Sequence, residues 1–412
     1  MTSRTYTPRQ GCRVYWRGLP AQRDTSLKSL ALTIVVFTFS RLVVNFTRRF
    51  PYPFIPAIAE QLGTSVGSVQ TALALSWGVG LASPIFGTLS ERYGRKPVML
   101  AGLLFMAVIS LLGAVVPQFW MFAAVAIGYG IGKMIFDPAL QAYIGERIPY
   151  HNRAKVWGAI EFSWAGSLFI AAPLTGFLLA RSGLGWVFVT LAGLMLVSAF
   201  LIWRFIPRTD PTQRTARLLG PIGLLRQVRG QPRVLAALGF TFCIAAGQEI
   251  FFINYGLWME ASFDLVLTAL GIATITIGIA EAVGEVVVAL GGDRLGKRNL
   301  ALYGAVLAGI GFLIVPTLTQ SLGVALTGMF VVFVLVEASI VASITLFTEL
   351  LPEARAVVMS TNISASASGR LLGALVGSRV LALTDNFVLV GAITMIIVLV
   401  GCAFMWRVSD IS

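Results

Sequence analysis

Long apolar segments recur twelve times along this chain, and each is long enough to cross a lipid bilayer. A helix of about 20 apolar residues spans the hydrocarbon core. The chain is 57% hydrophobic and only 12% charged, a balance that excludes an ordinary soluble domain. The predicted fold class is therefore an all-α membrane protein with twelve transmembrane helices, because helices satisfy their backbone polar groups internally. We place the spans at residues 30–59, 66–89, 97–116, 118–145, 156–180, 184–204, 234–258, 266–290, 299–316, 321–349, 356–382 and 387–407.

Two short charged motifs each occur twice, about half a chain apart. Residues 91–96 are Glu-Arg-Tyr-Gly-Arg-Lys and residues 293–298 are Asp-Arg-Leu-Gly-Lys-Arg, an offset of 293 − 91 = 202 residues. The second motif, acid–proline–arginine, comprises Glu146, Pro149 and Arg153, and again Glu349, Pro352 and Arg355. Such a repeat predicts two pseudo-symmetric six-helix bundles. We assign the chain to a tail 1–29, a bundle 30–206, a linker 207–233, a bundle 234–407 and a tail 408–412.

The positions of the basic residues predict the orientation in the membrane. The formal net charge is +13, which in a soluble protein would favour nucleic-acid binding. Here 24 of the 31 Lys and Arg fall in segments on one side of the predicted spans. This is the positive-inside asymmetry, so we expect both termini in the cytoplasm of a plasma-membrane protein and no nucleic-acid partner. The polar, Arg-rich residues 1–29 lack the apolar core of a signal peptide.

Cysteine and histidine are too few to predict a catalytic or metal centre. The cysteines are Cys12, Cys243 and Cys402, and the single histidine is His151. Their positions provide neither a disulfide framework nor a metal-ligand spacing. No nucleophile–base pair or nucleotide loop is visible, so we expect no enzyme, no metal and no cofactor. We expect a monomer in contact with membrane lipid.

The first charged motif carries a specific resemblance. Gly87-Thr-Leu-Ser-Glu-Arg-Tyr-Gly-Arg-Lys-Pro97 resembles the signature loop between the second and third helices of the major facilitator superfamily, except that the family usually has Asp where this chain has Glu91. The weaker copy lies between spans eight and nine, as that family requires. The resemblance implies two bundles that rock around a central cavity, with these loops as a cytoplasmic gate. The implied gate residues are Gly87, Glu91, Arg92, Gly94, Arg95, Lys96, Glu146, Arg153, Asp293, Arg294, Gly296, Lys297, Arg298, Glu349 and Arg355.

Charged residues inside the predicted spans are the candidates for function. Each charge costs at least about 2.5 kcal/mol at a helix centre, so these residues must pair, face water or lie near helix ends. Leaving out residues at the ends of spans, spans one, four, seven and ten hold seven of them, while spans three, six, nine and twelve hold none. In the resembled family, helices one, four, seven and ten line the cavity. The eleven are Arg41, Arg48, Arg49, Lys133, Asp137, Glu161, Glu249, Glu281, Glu285, Glu337 and Arg370.

The two halves carry embedded charges of opposite sign, +2 in the first and −3 in the second. We therefore expect an anionic group of the substrate to dock among Arg41, Arg48 and Arg49, and carboxylates to carry coupling protons. Lys133 and Asp137, four residues apart, can form an ion pair. The candidate substrate-binding residues are Arg41, Asn45, Arg48, Arg49, Tyr52, Lys133, Gln248, Asn254 and Arg370. The candidate proton-coupling residues are Glu249, Glu281, Glu285, Glu337 and Asp137.

Three functions remain open at this point. The first is a secondary transporter that works by alternating access and exports a small amphipathic organic solute, with an anionic or zwitterionic solute as one option, in exchange for protons. Ala172-Pro-Leu-Thr-Gly176 resembles a degraded form of the family's antiporter signature and favours export, although Ala172 and Phe177 replace expected glycines. The second is proton-coupled uptake of an organic anion. The third is a receptor or lipid-handling membrane protein that transports nothing.

The predicted topology can be tested with single cysteines in a chain carrying Cys12→Ser. Because both tails are expected in the cytoplasm, Ser3→Cys and Ser412→Cys should react with an impermeant thiol reagent only after the cells are permeabilised. Ser182→Cys, in a predicted outer loop, should react in intact cells. Labelling of either tail in intact cells would overturn the topology.

Overall fold

The computed structural model describes residues 27–82, 89–148, 150–208, 230–351 and 355–408. For residues 27–30, 150–155, 293 and 355–357 it describes the backbone alone. The predicted tails, most of the predicted linker and Gly87 lie outside the described residues. The side chains of Arg153, Asp293 and Arg355 do so as well.

The described chain forms an all-α bundle in which each predicted span corresponds to one long helix. Short helical segments extend α1 (Tyr52–Phe54 and Ile55–Gln61), α2 (Val79–Ala82) and α7 (Tyr255–Phe263), and Tyr150–Glu161 precedes α5. The twelve helices are α1 (Leu27–Arg49), α2 (Val66–Gly78), α3 (Arg95–Val115), α4 (Phe119–Arg147), α5 (Ser163–Arg181), α6 (Leu184–Phe205), α7 (Pro232–Phe252), α8 (Leu267–Leu295), α9 (Lys297–Ile314), α10 (Leu322–Phe347), α11 (Arg355–Thr384) and α12 (Phe387–Met405).

Ten helical spans in the described part of the chain are long and apolar enough to cross a membrane on length and composition alone. The other two predicted spans correspond to α2 and α11. The helix that contains α2 is described only from Val66 to Ala82 and is therefore short. In contrast, α11 has 30 residues but carries several Ser, Thr and Asn residues and Arg370, which lower its hydropathy. The predicted twelve-helix membrane fold is confirmed.

The repeated motif has the same structural role in both halves. Gly94 and Gly296 precede α3 and α9 with φ of 88° and 79°, a left-handed conformation that glycine adopts without steric cost. Lys96 Nζ donates to the Trp203 and Ile206 carbonyls at the end of α6, at 2.7 and 2.6 Å. Arg298, the equivalent of Lys96, donates to the Trp406 carbonyl at the end of α12, at 3.4 Å. A cation thus satisfies free carbonyls at a helix C-terminus in each half.

Glycines bring the two halves into backbone contact. A Cβ added at Gly271 of α8 would lie 2.5 Å from the Ala172 carbonyl oxygen of α5, and one at Gly278 would lie 2.9 Å from the Ala165 carbonyl. Between α2 and α11, a Cβ at Gly80 would lie 2.5 Å from that of Ala367. Small residues permit such close helix packing within membranes. The α5–α8 contacts lie toward the end of the bundle where α7 connects to α8, which we name the predicted outer end.

Adding a methyl group at the α5–α8 contact should destabilise the protein. Gly271→Ala should lower the free energy of unfolding by about 1–3 kcal/mol, because the new Cβ overlaps a backbone carbonyl that cannot rotate away. Gly193→Ala, on an open face of α6 with no atom within 4 Å of the added Cβ, is the matched control and should be neutral or stabilising. Thermal unfolding in detergent micelles would measure both. Equal stability of the two variants would contradict this packing.

Candidate functional site: a buried charge network

Three basic residues of α1 project from one stretch of helix, and each lies on a different tryptophan. The guanidinium carbon lies 5.0 Å from the Trp157 ring centroid for Arg41, 4.0 Å from Trp77 for Arg48 and 4.5 Å from Trp164 for Arg49. Stacking on an indole offsets part of the cost of taking a guanidinium out of water. Trp77 belongs to α2, Trp157 to the segment before α5, and Trp164 to α5. The cations of α1 therefore contact all three of these elements.

Within the first half, an ion-pair cluster joins α1, α4 and the segment before α5. Arg41 binds Glu161 through two hydrogen bonds of 2.7 and 3.1 Å, and its Nε lies 3.7 Å from Asp137. Lys133 and Asp137 form the ion pair predicted from their spacing, with an Nζ–Oδ2 distance of 2.7 Å. Lys133 also donates to Asn45 Oδ1 at 2.6 Å. Each of these cations therefore has a carboxylate partner.

A separate ion pair connects the first half of the chain to the second. Arg49 of α1 binds both oxygens of Glu281 of α8 at 2.6 Å, and the two side chains are only 3% and 1% exposed. The guanidinium also donates to the Trp164 carbonyl at 2.9 Å. Two parallel hydrogen bonds are the strongest arrangement available to an arginine–carboxylate pair. Because both side chains are buried, this pair is a strong link between α1 and α8.

Glu249 of α7 is the centre of a third cluster, again between the halves. One carboxylate oxygen accepts a hydrogen bond from the Tyr52 hydroxyl and a 3.1 Å bond from the Trp77 indole N–H. The other accepts from Arg370 of α11 at 2.8 Å. Arg370 also donates to Gln248 at 3.1 Å. Nearby, Gln70 of α2 donates to Asn254 at 2.9 Å and to the Ile253 carbonyl at 3.1 Å.

Two carboxyl groups and one cation in the described network have no partner of opposite charge within 4 Å. Glu337 of α10 is 7% exposed and Glu285 of α8 is half-buried, and no described side chain hydrogen-bonds to either carboxylate. The Glu337 Cβ packs on Gly284, where an added Cβ would be 2.7 Å away, so it lies beside the helix that carries Glu281 and Glu285. The cation is Arg48, whose Nη1 donates only to the Ser76 carbonyl and hydroxyl, both at 3.1 Å.

Four of the predicted gate residues make contacts within their own half: Arg92, Arg95, Lys96 and Arg298. Arg95 binds Glu146 at 2.7 Å and donates to the Ser90 hydroxyl at 2.7 Å. Arg92 lies over the Tyr93 ring. Glu91 is half-buried, and Arg294, Lys297 and Glu349 are exposed. Their role in a gate stays a prediction.

Several residues of this network were missed in the sequence analysis. Trp77, Gln70, Ser76 and Trp164 all hydrogen-bond or stack with the predicted residues. A polar or indole-bearing side chain within an apolar span is a weak sequence signal, because most such residues only satisfy local backbone groups. Gln70 and Trp77 are seven residues apart and so share one face of α2. That spacing was the available clue.

Comparison with known proteins assigns the family. The sequence model of the Major Facilitator Superfamily matches residues 37–253, more than half of the chain. The chain belongs to this superfamily. Its membership makes it a multi-pass membrane transporter rather than an enzyme.

Individual relatives are distant but cover much of the chain. The uncharacterized MFS-type transporter YceJ of Bacillus subtilis (strain 168) is 23% identical over 364 residues, which cover 87% of this chain and 91% of YceJ. The class C tetracycline resistance protein of Escherichia coli is 27% identical over 247 residues, 58% of this chain and 61% of that protein. A crystal structure of a bacterial homolog of the human lysosomal transporter Spinster superposes with a TM-score of 0.74 at 14% identity, covering 93% and 97% of the two chains.

Breaking the pair between the halves should strongly destabilise this superfamily member. Arg49→Gln or Glu281→Gln leaves the opposite charge buried without a partner, and we expect a loss of about 3–5 kcal/mol in the free energy of unfolding. The exchange Arg49→Glu with Glu281→Arg should recover part of that loss. Arg181→Gln, at an exposed site, is the control and should change stability by less than about 0.5 kcal/mol. Denaturant unfolding in micelles gives the values, and single variants as stable as the control would refute the coupling.

Proposed function

We propose that this protein is a proton-coupled exporter of small amphipathic organic compounds that works by alternating access. One observation carries the proposal: within the described part of a largely paired intramembrane charge network, Glu285 and Glu337 have no cation partner. An unpaired carboxylate away from water is costly, and binding a proton removes that cost. Release of the proton would then require a conformation that offers the group water or a cation. Such a dependence of protonation on conformation is what proton coupling needs.

The candidate coupling residues differ in what neutralisation would do. Glu249 and Glu281 compensate Arg370 and Arg49, and Asp137 compensates Lys133, so removing any of these charges leaves a buried cation alone. Removing the charge of Glu337 leaves no cation unpaired. Glu337 is therefore our first choice for the coupling carboxyl, and Glu285 is the second.

The surroundings of the network support an amphipathic substrate. Trp77, Trp157 and Trp164 are half-buried, so each retains an exposed part of its ring next to charged groups. Flat apolar surface beside a few polar groups is typical of sites for small organic ligands. The relatives include a multi-drug resistance efflux pump PmrA homolog of Lactococcus lactis, 22% identical over 262 residues, and this likeness favours export as the direction of transport.

Uptake of an organic anion is the second candidate, and Arg48 favours it. Among the described residues Arg48 has no carboxylate within 4 Å, whereas Arg49 and Arg370 each have one and Arg41 has two. An anionic substrate group beside Arg48 would provide the missing charge. The sequence predicted that an anionic group docks among Arg41, Arg48 and Arg49. Of these three we retain Arg48 as the anion site.

Proteoliposomes with an imposed pH gradient test the function and the coupling residue together. The wild-type protein should drive uphill movement of at least one compound from a panel of organic anions, cations and lipids, with proton flux reported by an internal pH dye. Glu337→Gln should abolish uphill transport while substrate binding changes little, because the docking groups remain. Glu260→Gln, at an exposed position, is the control and should transport like the wild type.

Two results would contradict the proposal. If the wild-type protein transports its substrate uphill equally well with and without a pH gradient, proton coupling is excluded. Full gradient-driven transport by Glu→Gln variants at 249, 281, 285 and 337 would exclude coupling through the second half, and Asp137 would become the residue to test. Net movement inward when the interior is alkaline would favour the uptake of an anion.

A further inference from the structure

An apolar cleft opens on the side of the bundle between α5 and α8. Its volume is about 630 Å³, and its walls are almost entirely hydrocarbon. The residues of α8 that line it recur at intervals of three and four, so they form one continuous stripe along the helix. Lining residues include Phe162, Phe169, Val283, Val286, Leu290 and Arg294.

The cleft arises because α5 and α8 touch only over part of their length. Toward the predicted outer end, Gly271 and Gly278 bring α8 against the α5 backbone. Past Gly278 larger side chains follow on α8, and Phe162 and Phe169 on the α5 side stay exposed. The two helices therefore diverge toward the opposite end of the bundle, where the sequence predicts the cytoplasm. A wedge-shaped space that faces the bilayer results.

A positive charge, that of Arg294, lies at the predicted cytoplasmic end of this cleft. Arg294 lines the cleft, is exposed and forms no hydrogen bond or ion pair with any described residue. From Ile279 to Arg294 the helix rises about 22 Å, somewhat more than the ~15 Å of hydrocarbon in one leaflet. The stripe thus runs from mid-membrane to the level of the lipid headgroups. Lys297, the exposed first residue of α9, follows three residues later in the sequence and adds to the positive charge.

We propose that this cleft is a binding site for one anionic phospholipid of the cytoplasmic leaflet. An acyl chain would lie along the stripe of Val283, Val286 and Leu290, and the phosphate would pair with Arg294. Charge complementarity selects this occupant: a zwitterionic phospholipid would also offer a phosphate, but its head amine would be repelled by Arg294 and Lys297, whereas an anionic headgroup carries no such cation. Such a lipid would sit where α5 of one half meets α8 of the other and would therefore respond to their separation.

Retention of lipid by the purified protein tests the site. After exchange into vesicles containing equal amounts of phosphatidylglycerol and phosphatidylcholine, native mass spectrometry should find phosphatidylglycerol bound preferentially. Arg294→Gln should weaken that preference about fivefold, the effect of one basic side chain at a membrane surface. Arg204→Gln removes the same charge from an exposed position on α6 outside the cleft and should leave the preference unchanged. Equal effects of the two substitutions would overturn the site.

A second variant separates the apolar part of the site from the charge. Gly291 lines the cleft, and a Cβ there would meet only the Leu295 side chain at 3.7 Å, so Gly291→Phe can fill the space without disturbing the backbone. The wild-type protein should retain lipid through delipidation, and this variant should lose that lipid whether its headgroup is anionic or zwitterionic. Undiminished retention would place the lipid elsewhere and contradict the proposal.

Cross-linking identifies the occupant directly. Gly291→p-benzoylphenylalanine, illuminated in native membranes, should yield a lipid adduct enriched in anionic phospholipid, and Arg294→Gln should lower that enrichment about fivefold. An adduct with a second copy of the chain would make the cleft a dimer interface. An internal adduct with residues 209–229 would make it a binding site for the linker. Either product in place of the lipid adduct would refute the lipid site.

Discussion

Hydrocarbon offers no water to solvate an ion, and the helices of this protein pack so that buried charges find other compensation. Arg41, Arg49 and Arg370 each reach a carboxylate on another helix. Arg48 reaches backbone and hydroxyl oxygen of α2 and the Trp77 ring instead. The contacts of Arg41, Arg48 and Arg49 link α1 to the segment before α5, to α2 and to α8, and losing a carboxylate partner would leave an ion alone at a cost of several kcal/mol.

Close backbone packing and ion pairing support each other at the junction of the halves. Gly271 and Gly278 let α8 approach α5, and the same helix presents Glu281 to Arg49 one turn further on. A larger side chain at either glycine would move α8 away and lengthen a pair whose strength depends on its geometry. Beyond Glu281 the close glycine contact of α8 is with α10, at Gly284, and a cleft separates α8 from α5. The lateral cleft and the unpaired Glu285 therefore both belong to the diverging part of the helix.

The two halves are alike in architecture and unlike in charge. Lys96 and Arg298 have equivalent roles at the ends of α6 and α12, so the repeat preserves the frame of each bundle. The embedded charges do not repeat, since the first half has a surplus of cations and the second a surplus of carboxylates. The pair Arg49–Glu281 joins the halves across that difference, and Glu337 remains as the buried acid beside it. The function proposed here rests on this asymmetry.

Local features of the sequence were enough to predict the class of fold. The length of an apolar segment determines where a helix can cross the bilayer. The spacing of Lys133 and Asp137 determines that they can pair, because residues four apart lie on adjacent turns of the same helix. Contacts between distant helices could not be predicted in this way: Arg49 and Glu281 are 232 residues apart and Tyr52 and Glu249 are 197. Nothing in the sequence separated Glu337 from the acids that have cation partners, because a partner is defined by which helices pack together. The sequence alone therefore determined the spans, the repeat and the set of buried charges, while the tertiary structure decided which of those charges are compensated.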